Sequence, residues 1–135
     1  MVIAKKPSVR FVLLVEGDAS LRRALVRAIH LAGIEVEAFA SIEALAASGS
    51  VEQAACLVLD VDMPGIGGIE VSEALIASGW SIPTVFMTAS ERQGLEAQLA
   101  RLHPVAVLHK PFPKEHLIEA LGRALGGECA NKLGQ

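Results

Sequence analysis

The sequence predicts an α/β protein, a doubly wound (βα)5 unit with one five-stranded parallel sheet and helices on both of its faces. Three observations point to it. Short apolar runs alternate with longer stretches of helical periodicity along the whole chain. The apolar runs show no in-and-out alternation, as strands covered on both faces require. With 135 residues, 52% of them hydrophobic, the chain can close one such core and is too short for a second.

Residues 9–15 read as the first strand, which Glu16 ends. Ser20 opens a helical pattern with Leu21, Ala24, Leu25, Ala28 and Ala32 on one face. Arg23, Arg27 and His30 fall on the opposite face as a solvated stripe, and Gly33 stops the helix. Residues 35–39 make a short second strand, followed by a helix over 41–48 that Gly49 ends. The third strand, 55–60, is continuous apolar sequence closed by the carboxylate of Asp60. A Pro/Gly-rich loop over 63–68 leads to a helix over 69–78. The fourth strand spans 82–88, with Pro83 tolerable at its beginning. Ser90 and Gln93 have capping-box spacing ahead of a helix carrying Leu95, Leu99 and Leu102. Residues 105–109 form the fifth strand, and Pro113 starts a last helix that packs through Leu117, Ala120, Leu121, Ala124 and Leu125. The expected organisation is a tail over 1–8, one domain over 9–125 and a second tail over 126–135.

Charge and cysteine content exclude several classes of function. With 20% charged residues and 12 basic against 15 acidic, the net charge is −3. That is too apolar for disorder, and it supplies no basic field toward nucleic acid or anionic lipid. Cys56 and Cys129 are too few for a disulfide framework, and Cys56 sits inside an apolar run as a small buried hydrophobe. Lys5, Lys6 and Arg10 precede the apolar residues 11–15 in the manner of a signal peptide. Glu16 ends that run too soon for a secretory or membrane-spanning segment, so a cytoplasmic protein without membrane attachment is expected. His30, His103, His109 and His116 lack metal-site spacing. Gly65, Gly67 and Gly68 are not followed by the Lys-Ser/Thr of a phosphate loop and serve the turn into a helix.

In a doubly wound sheet the functional crevice lies beyond the carboxyl ends of the strands, where the strand order switches. There the sequence places Glu16-Gly17-Asp18, then Asp60 and Asp62, then Thr88, then Lys110, one group after each of four strands. Clustered carboxylates suit a hard divalent cation such as Mg2+, which takes oxygen ligands and keeps several waters. A carboxylate nucleophile, a metal, a hydroxyl and an ammonium are the parts that phosphoryl transfer needs. The carboxylate attacks in line while the cations neutralise charge on the equatorial oxygens. Taken singly, Asp60 is a loop cap, Thr88 a β-branched strand residue and Lys110 a solvated lysine. Their coincidence at four strand ends is what carries information.

Four motifs go further: Val15-Glu16-Gly17-Asp18, the stretch 57–68 containing Asp60, Asp62, Met63, Pro64 and Gly68, the stretch 83–89 ending in Thr88-Ala89, and His109-Lys110-Pro111-Phe112. In order and spacing they resemble the receiver domain of bacterial two-component response regulators, from residue 9 to about 125. The wording of 56–60 is most similar to receivers of the FixJ-like group, which precede a LuxR-type DNA-binding domain. The resemblance implies the flavodoxin-like receiver topology and a phosphoacceptor role for Asp60, supplied by a phosphohistidine on a sensor histidine kinase or a histidine phosphotransfer protein. It implies that Glu16 holds Mg2+ through water, and that Asp60 and the backbone carbonyl of Asp62 ligate it. Thr88 would hydrogen-bond the phosphoryl group and shift inward on activation. Lys110 would pair with that group, or with Asp60 before it arrives. The Lys110–Pro111 bond would be cis and aim the lysine inward. Such a domain signals rather than acting as an enzyme, beyond self-catalysed phosphotransfer and autodephosphorylation. It pairs as a homodimer through its fourth helix, fifth strand and fifth helix. Residues 126–135 are too few for a helix-turn-helix, so direct nucleic-acid binding by this chain is not expected.

Three positions depart from the pattern. Gly17 stands where receivers carry a second acid that ligates the metal directly, with Asp62 expected to add negative charge nearby. Val107 stands where an aromatic ring normally swings inward behind the threonine, so Thr88, Val107 and Pro111 are the positions on which switching depends. His103-Pro104 replaces a small Gly-Ala pair after the fourth helix. Two alternatives stay open: a degenerate receiver that binds a partner without phosphorylation, and, from Asp60-Val61-Asp62, a haloacid-dehalogenase-like phosphatase.

Overall fold

Strand and helix alternate throughout the computed structural model, which describes residues 11–126: β1 (Phe11–Val15), α1 (Ala19–Leu31), β2 (Glu35–Phe39), α2 (Ile42–Ser48), β3 (Ala54–Asp60), α3 (Gly68–Ala77), β4 (Thr84–Thr88), α4 (Leu95–Ala100), β5 (Ala106–His109) and α5 (Lys114–Ala124). Val9 and Arg10, the tail over 1–8, Cys129 and the second tail beyond Gly126 lie outside the described residues. The strands pair in parallel in the order β2-β1-β3-β4-β5. The predicted doubly wound sheet is therefore the fold. Among the described residues no helix is long and apolar enough to cross a membrane.

The lack of polarity alternation in β1, β3 and β4 has a direct cause, since each of these strands supplies two cores. Val12, Leu14, Cys56, Val58, Val85 and Met87 face Leu25 and Ile29 of α1 and Leu117, Ala120 and Leu121 of α5. The intervening residues Leu13, Val15, Leu57, Leu59 and Phe86 face α2, α3 and α4 through Ile42, Leu45, Ile69, Leu95 and Leu99. Each fully buried aliphatic side chain here contributes about 1.5–3 kcal/mol of transfer free energy. Burial pushes the Cys56 thiol up to about 12, so it packs as a hydrophobe and presents no thiolate.

Two local readings needed correction. Ala24 and Ala32 are exposed, and Ile29 takes their place on the buried face of α1 with Leu25 and Ala28. The buried stripe lies one position further round the helix than the alanines suggested, because the larger apolar side chain wins the core. The Ser90–Gln93 capping box is not formed either. Gly94, at φ 85, precedes α4, and Ser90 Oγ instead accepts from the Arg92 amide at 3.0 Å within its own turn. His103 adopts φ 53, the left-handed region where a small Gly would sit without strain.

Candidate functional site

The chain leaves β1 toward β2 on one side and reaches β3 on the other, so the crevice opens between the carboxyl ends of β1 and β3. Glu16 and Asp60 stand on either side of it. Sheet hydrogen bonding runs past the strand ends and fixes where the loops begin. The Glu16 amide donates to Phe39 O at 3.1 Å, the Val61 amide to Met87 O at 2.8 Å and the Lys110 amide to Thr88 O at 2.8 Å. Register does the rest: Val15 lies level with Leu59, Asp60 with Met87, and Thr88 with His109, which brings Lys110 alongside.

Lys110 Nζ donates to Glu16 Oε1 at 2.8 Å and to Asp60 Oδ2 at 3.2 Å. The other two carboxylate oxygens are also met: Glu16 Oε2 accepts from the Asp18 amide at 3.0 Å, and Asp60 Oδ1 from the Asp62 amide at 2.9 Å. Glu16 and Asp60 are 2% and 5% exposed, so without these donors both would be costly to bury. Burial alone would lower the affinity of Lys110 for its proton. The hydrogen bond to Glu16, the charges of Asp60 and Glu16 and the hydrogen bond to Asp60 outweigh it and raise the lysine above its ordinary pKa.

Thr88, fully buried, faces a different partner. Its hydroxyl is shared between Asp62 Oδ1 at 3.0 Å and Oδ2 at 3.1 Å. The Ala89 amide donates to Asp62 Oδ2 at 2.6 Å, and Thr88 Oγ1 in turn accepts from the Ser90 amide at 2.9 Å. The side chain of Asp62, expected to add charge beside a metal, is thus directed to the end of β4. Val107 is half-buried on β5 opposite Phe86, and the Lys110–Pro111 bond is cis. A cleft of about 500 Å3 flanks Lys110, with Leu21 and Ala24 of α1 on one side and Pro111 and Phe112 on the other.

The sequence groups Glu16, Asp60, Thr88 and Lys110; it does not reveal two supporting contacts, and it marks Gly68 without the reason for it. Arg22 Nη1 donates to Glu16 O at 2.8 Å, tying α1 to the loop that carries the first carboxylate. The amide of Ala89 has no side-chain signal to reveal it. Gly68 is needed for close approach, since a Cβ there would lie 3.0 Å from Asp60 O and from Leu59 Cβ. At Gly17 an added Cβ would meet Met63 Sδ at 3.6 Å, an ordinary contact. Asp18 does not replace the missing acid, because its Oδ1 accepts from the Leu21 amide at 2.9 Å as the N-cap of α1. Two carboxylates converging on one point are oxygen donors that fit a hard cation, with one side-chain ligand fewer than a second acid would give. Among the described residues no three His, Cys, Asp or Glu side chains gather as a metal cluster.

A family model described as the response regulator receiver domain matches residues 12–122. Nodulation protein W of Bradyrhizobium diazoefficiens is 33% identical over 110 residues, covering 82% of this chain and 48% of that protein. The transcriptional regulatory protein FixJ of Azorhizobium caulinodans is 30% identical over 112 residues, 83% of this chain and 53% of that one. The chain thus spans about half the length of these curated relatives. Among solved structures, the response regulator StyR superposes with a TM-score of 0.79 at 32% identity, over 93% of this chain and 63% of that one. The chemotaxis protein CheY4 of Vibrio cholerae does so with a TM-score of 0.73 at 28% identity, over 87% of this chain and 99% of that one.

Proposed function

The chain belongs to the response regulator receiver family of two-component systems, and on that footing we propose that Asp60 is its phosphoacceptor. The observation that carries this reading is Lys110 Nζ joining Glu16 and Asp60 at the strand-order switch. The donor of the phosphoryl group is a phosphohistidine on a sensor histidine kinase or a histidine phosphotransfer protein. A carboxylate oxygen of Asp60 attacks phosphorus, the P–N bond to the histidine breaks, and the ring nitrogen keeps the electron pair. Lys110 then transfers its hydrogen bond from Asp60 to a phosphoryl oxygen and offsets the charge gained there. Receiver domains bind Mg2+ at their acidic pocket. In this chain Glu16, Asp60 and the Asp62 carbonyl are the groups that would hold it, and the ion supplies charge neutralisation on the phosphoryl oxygens.

The cleft between α1 and Phe112 runs beside Lys110, the residue bound to Asp60, and is where the partner that brings the phosphohistidine would dock. The domain is a signalling module, and its site does not turn over small phosphoesters. A cytoplasmic location and homodimerisation through α4, β5 and α5 complete the proposal. The test is incubation with acetyl phosphate, with and without Mg2+, read by intact mass beside an Asp60→Asn variant. Mg2+-dependent gain of one phosphoryl group by the native chain alone is the expected result. A folded protein that gains none at any Mg2+ concentration would instead be a receiver that binds its partner without phosphorylation.

A further inference from the structure

We propose that the Asp62 carboxylate is a resident occupant of the donors meant for the phosphoryl group, so that phosphorylation of Asp60 requires Asp62 to swing out. The inference deepens the phosphoacceptor reading and rests on it. Two donors at the end of β4, the Thr88 hydroxyl and the Ala89 amide, converge on this one carboxylate at 3.0 and 2.6 Å. A phosphoryl oxygen and a carboxylate oxygen are alternative acceptors for the same pair, and charge-assisted bonds of this kind are the strong ones.

Local geometry holds the carboxylate there. The Asp62 amide donates back to Asp60 Oδ1 at 2.9 Å, a turn two residues long that carries the Asp62 side chain across to β4. Phosphorylated Asp60 and Asp62 repel each other, because both are anionic and Lys110, the cation bound to Asp60, is already shared with Glu16. Release is nevertheless feasible: Asp62 and Ala89 are both exposed, so water meets each as they part. The arrangement is a displaceable latch, in contrast to the buried ion pairs of Lys110. It also holds the hydroxyl of Thr88 engaged before any phosphoryl group arrives.

The test follows phosphoryl uptake from acetyl phosphate at saturating Mg2+ by intact mass in the native chain, Asp62→Asn and Asp62→Ala. The Ala89 amide resonance of each 15N-labelled, unphosphorylated protein is recorded in parallel. Losing a hydrogen-bonded carboxylate corresponds to about a tenfold faster uptake in Asp62→Ala. Asp62→Asn, which keeps an acceptor oxygen without the charge, should fall between the two. The Ala89 amide should move upfield in the same order as its acceptor weakens. An Asp62→Ala rate no faster than native, or an Ala89 amide that does not move, overturns the latch while leaving Asp60 as phosphoacceptor. Failure of all three folded proteins to gain a phosphoryl group overturns the phosphoacceptor reading, and the latch with it.

Discussion

The two halves of the site are built on opposite terms. On the β1–β3 side, an ammonium from β5 meets two nearly buried carboxylates, and every oxygen there has a donor. On the β4 side, an exposed aspartate meets a hydroxyl and a backbone amide, the donors that the latch proposal reserves for a phosphoryl group. Lys110 and Glu16 are 94 residues apart in sequence, so their contact exists only when the sheet is complete. Asp62 and Thr88 are 26 residues apart and meet across the neighbouring strands β3 and β4, so their contact depends on that one pairing. The first half reports on the integrity of the fold, and the second is free to change state at little cost to it. A receiver needs both properties, and here they are separated by side chain.

Removing the cation tests this separation hardest. Lys110→Met leaves Glu16 and Asp60 facing each other in a nearly dry site, and urea unfolding at neutral pH should show a loss of about 3–5 kcal/mol. Adding Asp60→Asn to that variant should restore part of the loss, because one of the two uncompensated charges is gone. The contact on the other side should behave differently, with Asp62→Ala costing about 1.5 kcal/mol in the same assay, the scale of one charge-assisted hydrogen bond. Equal losses for Lys110→Met and Asp62→Ala would erase the distinction. The pH dependence has a definite sign. Lys110 has its folded pKa raised, so its contribution is complete below the unfolded lysine value and fades as the pH climbs through the folded one. Stability of the native chain should therefore contain a component lost above about pH 10. Subtracting the profile of Lys110→Met isolates it.

The same division explains what could be read from the sequence. Strand ends are marked by abrupt changes from apolar to polar residues, so Glu16, Asp60, Thr88 and Lys110 were legible as a set, and the order of elements followed from their alternation. The partners of Thr88 were not legible. The Ala89 amide belongs to the backbone, and the direction of the Asp62 side chain depends on a turn whose residues allow several. The start of α4 was misread for a similar reason: Ser90 and Gln93 have the right spacing, but the serine is used by the Arg92 amide next to it. Local hydrogen bonding of short polar side chains competes with helix capping, and sequence spacing does not record which wins.

Gly17 offers a way to sharpen the ligand-poor side of the site. An aspartate there would enter with ordinary contacts to Met63 Sδ at 3.6 Å and Ala40 O at 3.8 Å, and the backbone needs no positive φ. A third carboxylate beside Glu16 and Asp60 adds an oxygen ligand and a charge, so Gly17→Asp should bind Mg2+ about tenfold more tightly by titration calorimetry. Unchanged affinity would mean that Glu16 and Asp60, held by Lys110, do not release toward a cation at all.

Asp18 is the smallest and most discriminating case, because this acid directly follows Gly17 and yet caps a helix. Its carboxylate accepts from the Leu21 amide, satisfying one of the donors that the first turn of α1 leaves unpaired. Asp18→Ala should then cost about 1 kcal/mol of stability, and Asp18→Ser should recover most of it, since serine caps as well as aspartate. Mg2+ affinity should be the same in all three proteins. If Asp18→Ser instead weakened Mg2+ binding while keeping its stability, the carboxylate would be serving the metal through the loop. The offset of one residue from Gly17 would then have been repaired after all. The hydrogen bond at 2.9 Å argues the other way: Asp18 Oδ1 is already committed to the Leu21 amide in the first turn of α1.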